Sequence, residues 1–129
     1  RVGNTFVVKA LDLMRRGGRL EQGARADAVP VLAYSDGVVR VSGNADTVAR
    51  AVTLMAETIR DASAAARYGL RVGIGHGAAE PIARELRRHA CVMPGVDEVI
   101  DYIVGPSVGV HTGAGTAGAV YIDRVPYEV

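Results

Sequence analysis

Apolar and polar positions along this chain follow two different periods, and the switches between them outline its elements. Thr5-Phe6-Val7-Val8 is a β-branched and aromatic run, the composition of a short buried strand. Ala10 to Arg16 reads as about two turns of helix, stopped by Gly17-Gly18, with arginines in the last turn where the helix dipole favours cations. Leu20 to Asp27 is ambiguous between a short helix and a loop. Val29 to Tyr34 predicts a strand with Pro30 at its start or on an edge. Asp36-Gly37 is a strong hairpin signal, and Val38 to Val41 forms the return strand. Asn44 and Asp46 are both suited to cap the next helix. Val48, Ala51, Val52, Met55, Ile59 and Ala62 recur at helical spacing and define the longest amphipathic helix, ending near Tyr68-Gly69.

The alternation of Leu70 to Gly75 predicts another strand. Gly77 and Pro81 then open a second helix with Ile82, Leu86 and Ala90 turned inward. Pro94-Gly95 turns the chain. Val99 to Val104 and Ala119 to Ile122 are the remaining strands. Strands alternating with helices after a hairpin predict an α/β domain, with helices packed on a mixed β-sheet. No repeat, linker or low-complexity tract divides it, so residues 1–129 read as a single domain.

Composition narrows the function classes. Apolar residues make up 49% of the 129 residues, enough for a real core, and charged residues 22%, which argues against wholesale disorder. A net charge of +1 offers no bulk attraction to nucleic acid or an anionic membrane. The only basic clusters, Arg15-Arg16 with Arg19 and Arg84 with Arg87-Arg88, read as solvated helix faces. Cys91 is the single cysteine, so no intrachain disulfide forms. That suits a reducing cytoplasm, and beside Val92 and Met93 it reads as a small apolar residue. No apolar run approaches the ~20 residues of a membrane span, so no membrane insertion is expected, and no signal peptide is evident. A start at Arg1, close to a strand, is the pattern of a fragment, a processed product or a domain preceded by more chain.

The segment Gly105-Pro106-Ser107-Val108-Gly109-Val110-His111-Thr112-Gly113-Ala114-Gly115-Thr116-Ala117-Gly118 is the most distinctive. Dense glycine makes a backbone that turns tightly or approaches something closely. His111 and Thr112 bring polar groups into a stretch without formal charge, a common way to build a site for a small anionic group. Gly113-x-Gly115-x-x-Gly118 matches the dinucleotide fingerprint letter for letter. That fingerprint needs a following helix, and an acidic residue about 20 positions on. Here a strand follows and the chain ends eleven residues later, so the match is a decoy. There is no Gly-Lys-Ser/Thr of a P-loop. Asp97, Glu98 and Asp101 lack an interleaved histidine and read as an exposed strand edge. His76 sits after a strand, where α/β sheets bind ligands, but has no sequence partner and reads as structural; His89 reads as solvated. Without a nucleophile constellation, no catalytic residues are assigned, and no metal or cofactor site is expected.

Three stretches resemble one bacterial family, the DegV-type fatty acid-binding proteins. Phe6-Val7-Val8 with Leu11 to Leu20 resembles its FVVDTLEYLKRGGRI segment. Val29-Pro30-Val31-Leu32 with Asp36-Gly37 resembles its KPIL…DGK strand and hairpin. Gly105 to Gly115 resembles its GPVIGAHTGPGALG signature. The resemblance implies the C-terminal lobe of a two-domain fold that clasps a long-chain fatty acid, without chemistry of its own. The protein's own N-terminal domain would supply hydroxyls to the carboxylate. His111 would approach the head group from this side, with Thr112, Gly113 and Gly109 shaping its cradle and Val108, Val110 and Ala117 contributing to the walls of the tail pocket. In some relatives a separate kinase subunit phosphorylates the bound acid. Two departures stand out. The stretch from Arg19 to Val29 is shorter than in the family, and Asp46 takes the place of a basic residue in the Val-Arg-Thr-Arg-like stretch that faces the kinase. The alternative function is a ligand-free interaction or regulatory domain that keeps the fold. A nucleotide-handling enzyme using the glycine loop is the weakest reading.

Overall fold

The computed structural model describes residues 2–8, 29–103 and 115–125. The helix expected over Ala10 to Arg16, the stretch Leu20 to Asp27, and Val104 with most of the glycine segment lie outside the described residues. In chain order the elements are β1 (Val2–Val7), β2 (Val29–Ser35), β3 (Val38–Ala45), α1 (Val48–Ala65), β4 (Leu70–Gly77), α2 (Glu80–Cys91), β5 (Val96–Ile103) and β6 (Thr116–Asp123). The strands form one six-stranded sheet in the order β3-β2-β1-β6-β4-β5. β4 and β5 run parallel around α2, and the other neighbours are antiparallel. The sheet is therefore mixed, as the alternation of elements predicts.

The two β-ends of the sheet arise from different local chemistry. Between β2 and β3, Asp36 and Gly37 both adopt positive φ, +53° and +80°, the twist-matched two-residue turn that asparagine, aspartate and glycine favour. Pro30, second in β2, lies opposite Asn44 of β3, near the strand start where its missing N–H costs little. β2 meets β1 at the Phe6–Leu32 pair. Farther along, the Asn4 side chain bridges to Tyr34, donating to its carbonyl at 2.8 Å and accepting from its N–H at 2.7 Å.

The expected helix stripe is the core except for Val48, which opens α1 and is exposed. Ala51, Val52, Met55, Ile59 and Ala62 of α1 and Ala83, Leu86 and Ala90 of α2 pack on Val7, Val31, Val72, Ile74, Ala117, Ala119 and Tyr121. These strand positions share one side-chain parity, so both helices cover the same face of the sheet. A second small cluster of Val8, Leu32 and Val39, with Phe6 and Val41 against it, lies at the hairpin end.

Several boundaries depart from the sequence reading. β3 continues to Ala45, so Asn44 is a paired strand residue and neither it nor Asp46 caps the helix. Thr47 does: its Oγ1 accepts from the Arg50 N–H at 3.1 Å. α1 stops at Ala65, short of Tyr68-Gly69. Gly69 follows at φ +99°, where the Asp97 carboxylate leaves no room for a Cβ. β5 starts at Val96 instead of Val99, and β6 at Thr116 instead of Ala119, because ladder pairing extends past the apolar runs. Cys91 is exposed at the last position of α2, not packed as a small apolar residue.

Gly118 lies between Phe6 of β1 and Gly75 of β4. A Cβ there would fall on the Thr5 carbonyl oxygen and 2.6 Å from the Phe6 Cα. Backbone cannot move aside as a side-chain tip can. Gly118→Ala is expected to cost about 3 kcal/mol by overpacking, and Leu86→Ala, at a fully buried site, about 2–5 kcal/mol through a cavity. Urea denaturation of both variants against the parent protein measures the two losses.

Candidate functional site

At the carboxyl end of β4 the sheet, the start of α2 and Gly115 at the entry to β6 converge. β4 has β5 on one side and β6 on the other. Residues 104–114 join the end of β5 to the start of β6. The predicted ligand residues His111, Thr112, Gly113 and Gly109 all fall in this connection, outside the described residues. Its downstream anchor is described. Gly115, four residues after His111, is at φ +93° and donates its N–H to the Gly77 carbonyl at 2.6 Å.

The turn carrying that carbonyl is built by His76. Its Nδ1 accepts a hydrogen bond from the Ala79 N–H at 3.1 Å, capping the entrance to α2 with a side chain from the strand. An imidazole that accepts at Nδ1 carries its proton on Nε2 in the neutral state. Ala78, inside the turn, has φ +53°, a left-handed conformation costing a non-glycine residue about 1–2 kcal/mol. Pro81 occupies the first turn of α2, where a missing N–H leaves no ladder bond broken. The structural role read for His76 thus has a specific bond behind it.

A cavity of about 410 Å³ opens between α2 and β5, lined by Ile74, His76, Glu80, Ala83, Arg87 and Asp101 among others. Its charges compensate one another. Arg84 donates to Glu80 at 2.6 Å, one turn apart, and Arg87 donates to Asp101 at 3.1 Å. The hydrogen bond from Arg84, then its positive charge, holds the Glu80 carboxyl below the usual carboxylate range. The reading of Arg84, Arg87 and Arg88 as solvated helix faces therefore captured their exposure but missed their partners. Arg87 and Asp101 are fourteen residues apart on different elements, and no local pattern announces that pair.

On β5, an edge strand as expected for its acidic run, each carboxylate faces a cation: Asp97 with Arg124, Glu98 with Arg71 and Asp101 with Arg87. No group of potential metal ligands exists among the described residues.

The opposite face of the sheet is different. Val2, Ile100, Val120 and Ile122 are exposed there, Val2 at 71%. Gly73, Gly75 and Gly118 supply neighbouring positions without side chains, and the Tyr102 ring lies across Gly73 and Gly75. Tyr102 is a site residue that sequence reading passed over, because only the facing glycines give its ring a place. Ala117, expected to help wall a tail pocket, is instead fully buried on the helix-covered side. Alternation along β6 fixes that outcome, since Ala119 and Tyr121 share its face.

Fold and site together define an α/β domain in which Gly115, at the entry to the last strand, is bonded to the end of an interior strand, and exposed apolar side chains stand on the sheet face opposite the helices. A family model described as an uncharacterised protein, DegV family, matches residues 1–124, and the chain belongs to that family. It is 32% identical over 128 residues to a DegV domain-containing protein of Streptococcus pneumoniae, covering 95% of this chain and 45% of that protein. Among solved structures, one described as showing fatty acid binding of a DegV family protein from Thermus thermophilus superposes with a TM-score of 0.86 at 24% identity. It covers 95% of this chain and 46% of the other. A fatty acid binding DegV family protein from Streptococcus agalactiae gives 0.83 at 22% identity, covering 96% of this chain and 45% of its own. The chain thus spans about half the length of the relatives it matches, and these likenesses confirm the mixed α/β fold.

Burial raises the Tyr102 phenol above its usual value. A raised folded-state value means that stability is intact below the unfolded-state value near 10 and falls as pH rises through the folded-state one. Tyr102→Phe should flatten this alkaline loss. Denaturation midpoints measured from about pH 8 to 11 for parent and variant test it.

Proposed function

We propose that this chain is the ligand-holding lobe of a bacterial fatty acid-binding protein and has no catalytic chemistry of its own. The observation that carries the reading is the set of exposed apolar side chains on β6 and its neighbours, on the sheet face that the helices leave uncovered. An acyl chain needs apolar surface, and burying each CH₂ is worth roughly 0.8 kcal/mol, so the tail supplies most of the binding free energy. The exposed side chains of Val120 and Ile122 on β6, with Val2 and Ile100 beside them, offer such surface. Family membership supports the same ligand, because relatives of this fold are described as fatty acid binding.

The head group is the second requirement. A carboxylate withdrawn from water is costly unless donors replace its solvation. His111 donates to it, and Thr112, Gly113 and Gly109 form the surrounding cradle. The protein's own N-terminal domain, on the chain preceding this lobe, closes the site from the other side and covers the apolar face. A separate kinase subunit is the partner that would receive the carboxylate. Asp46, exposed between β3 and α1, stands on the segment that would meet it and reverses the sign of the family's basic residue there. The reducing cytoplasm suits a protein with one unpaired thiol. Nucleic acid is not a partner, given a net charge of +1. Among the described residues, no helix is long and apolar enough to cross a membrane.

The test uses the full-length protein purified from bacteria. Organic extraction and mass spectrometry should recover long acyl chains bound in near-stoichiometric amount. His111→Ala should weaken oleate binding by about tenfold to a hundredfold, the loss of one charge-assisted hydrogen bond, with the melting temperature unchanged. Absence of co-purified acyl chains together with no binding of added oleate would sink the reading.

A further inference from the structure

We propose that Tyr102 is a specificity-determining residue of the uncovered sheet face: its ring takes up the space over the glycines of β4 and so limits the length of acyl chain that the face accepts. This role rests on the fatty acid reading. β4 carries a pattern that the core does not require. Gly73, Gly75 and Gly77 occupy alternate positions, so all three fall on the face opposite Val72 and Ile74, which pack under the helices. Glycine inside a strand weakens it, and it often marks a place that a ligand or another backbone approaches closely. The ladders fix the neighbours. Gly75 has Gly118 of β6 on one side and Tyr102 of β5 on the other, and Gly73 has Val120 and Ile100. Tyr102 leans over this bare strand. A Cβ built at Gly75 would collide with its ring, 2.6 Å from Cζ, and one at Gly73 would lie 3.4 Å from its Cδ1.

The surface so covered suits an apolar occupant. β4 and β6 each have a strand on both sides, so their backbone N–H and C=O groups in these rows are spent in the ladders and offer a peptide or a polar ligand nothing to pair with. Beside Tyr102 on this face stand Ile100 at 53% exposure and Val120 at 46%, both aliphatic. One row farther, the Arg71–Glu98 ion pair at 3.7 Å ends the apolar lane on β4 and β5. Tyr102 is 38% exposed: glycine supports one side of the ring, and the other side is partly open. The ring therefore fills the part of the lane nearest the β4 glycines. Taking it away would expose their backbone as a floor on which further methylene groups of a tail can lie, with no side chain of β4 standing in the way.

The test is a chain-length profile of the delipidated full-length protein, read by competition of saturated fatty acids of about 12 to about 20 carbons against a fluorescent fatty acid. Each buried CH₂ is worth about fourfold in affinity. In Tyr102→Ala the preferred acid is expected to lengthen by about two carbons, its affinity relative to the parent's preferred acid rising about tenfold. Tyr102→Phe keeps the ring and should keep the parent profile. A role confined to packing on the glycines would lower the melting temperature of Tyr102→Ala and leave the profile where it was. An unmoved profile in Tyr102→Ala, or the same shift in Tyr102→Phe, would overturn the inference. If Tyr102→Ala does not fold, Tyr102→Leu, which keeps apolar cover but loses the ring, decides by the same comparison with Tyr102→Phe. The two readings fail differently. A parent protein that binds none of the acids sinks the fatty acid reading and this role with it, whereas a parent that binds them, with variants of unchanged profile, sinks the role of Tyr102 alone.

Discussion

The sheet is one body because β6, the last strand, lies between β1 and β4. The N-terminal half of the chain makes a three-stranded antiparallel meander, β1-β2-β3, and the second half a parallel unit, β4-α2-β5. No pairing joins these halves directly. β6 ladders with β1 along one edge and with β4 along the other, from Ala117 to Ile122 against the first and from Thr116 to Asp123 against the second. The common helix-covered face of the sheet presupposes this insertion. Its sequence fits the task. Ala117, Gly118 and Ala119 are small enough for Phe6 and Gly75 to close in on either side, and the helices lie directly above the two alanines.

The same strand links architecture to ligand chemistry. The chain enters β6 at Gly115, which is bonded to the Gly77 carbonyl at the end of β4, a strand with neighbours on both sides. At that entry the contacts are backbone ones: Gly115 to Gly77, with His76 closing the turn. Side-chain charge near the site is consumed locally by the Glu80–Arg84 and Arg87–Asp101 pairs. These exposed pairs contribute little to stability, the usual fate of solvated ion pairs. What they do is leave the α2–β5 cavity close to neutral.

Local chemistry made much of the fold legible. Met55, Ile59 and Ala62 at helical spacing are enough to announce α1, and Asp36-Gly37 is enough to announce the hairpin, because each signal is complete within a few residues. Errors cluster where a long-range partner decides. Asn44 is as good a cap as Thr47 by composition, but Pro30 and its neighbours draw β3 on to Ala45 and leave the cap to Thr47. The apolar run starts at Val99, and β5 reaches back to Val96 only because Leu70 and Arg71 of β4 pair with Val96 and Glu98. Ala117 looked available to a ligand, and the alternation of a strand whose register is set by β1 and β4 turned it inward.

From its residues alone, the chain determined its class, its hairpin, its two covering helices and the unsuitability of Gly113-x-Gly115-x-x-Gly118 for a dinucleotide, since periodicity, turn geometry and a following strand are properties of contiguous residues. Only the tertiary structure decided that Gly118 is crowded by the β1 backbone at Thr5 and Phe6, that the Tyr102 ring rests on glycines of the neighbouring strand, and that Gly115 is bonded to the turn after β4 that His76 caps. These are meetings between residues far apart in the chain. Their energies exist only once β6 has closed the sheet, so no reading of neighbours along the sequence contains them.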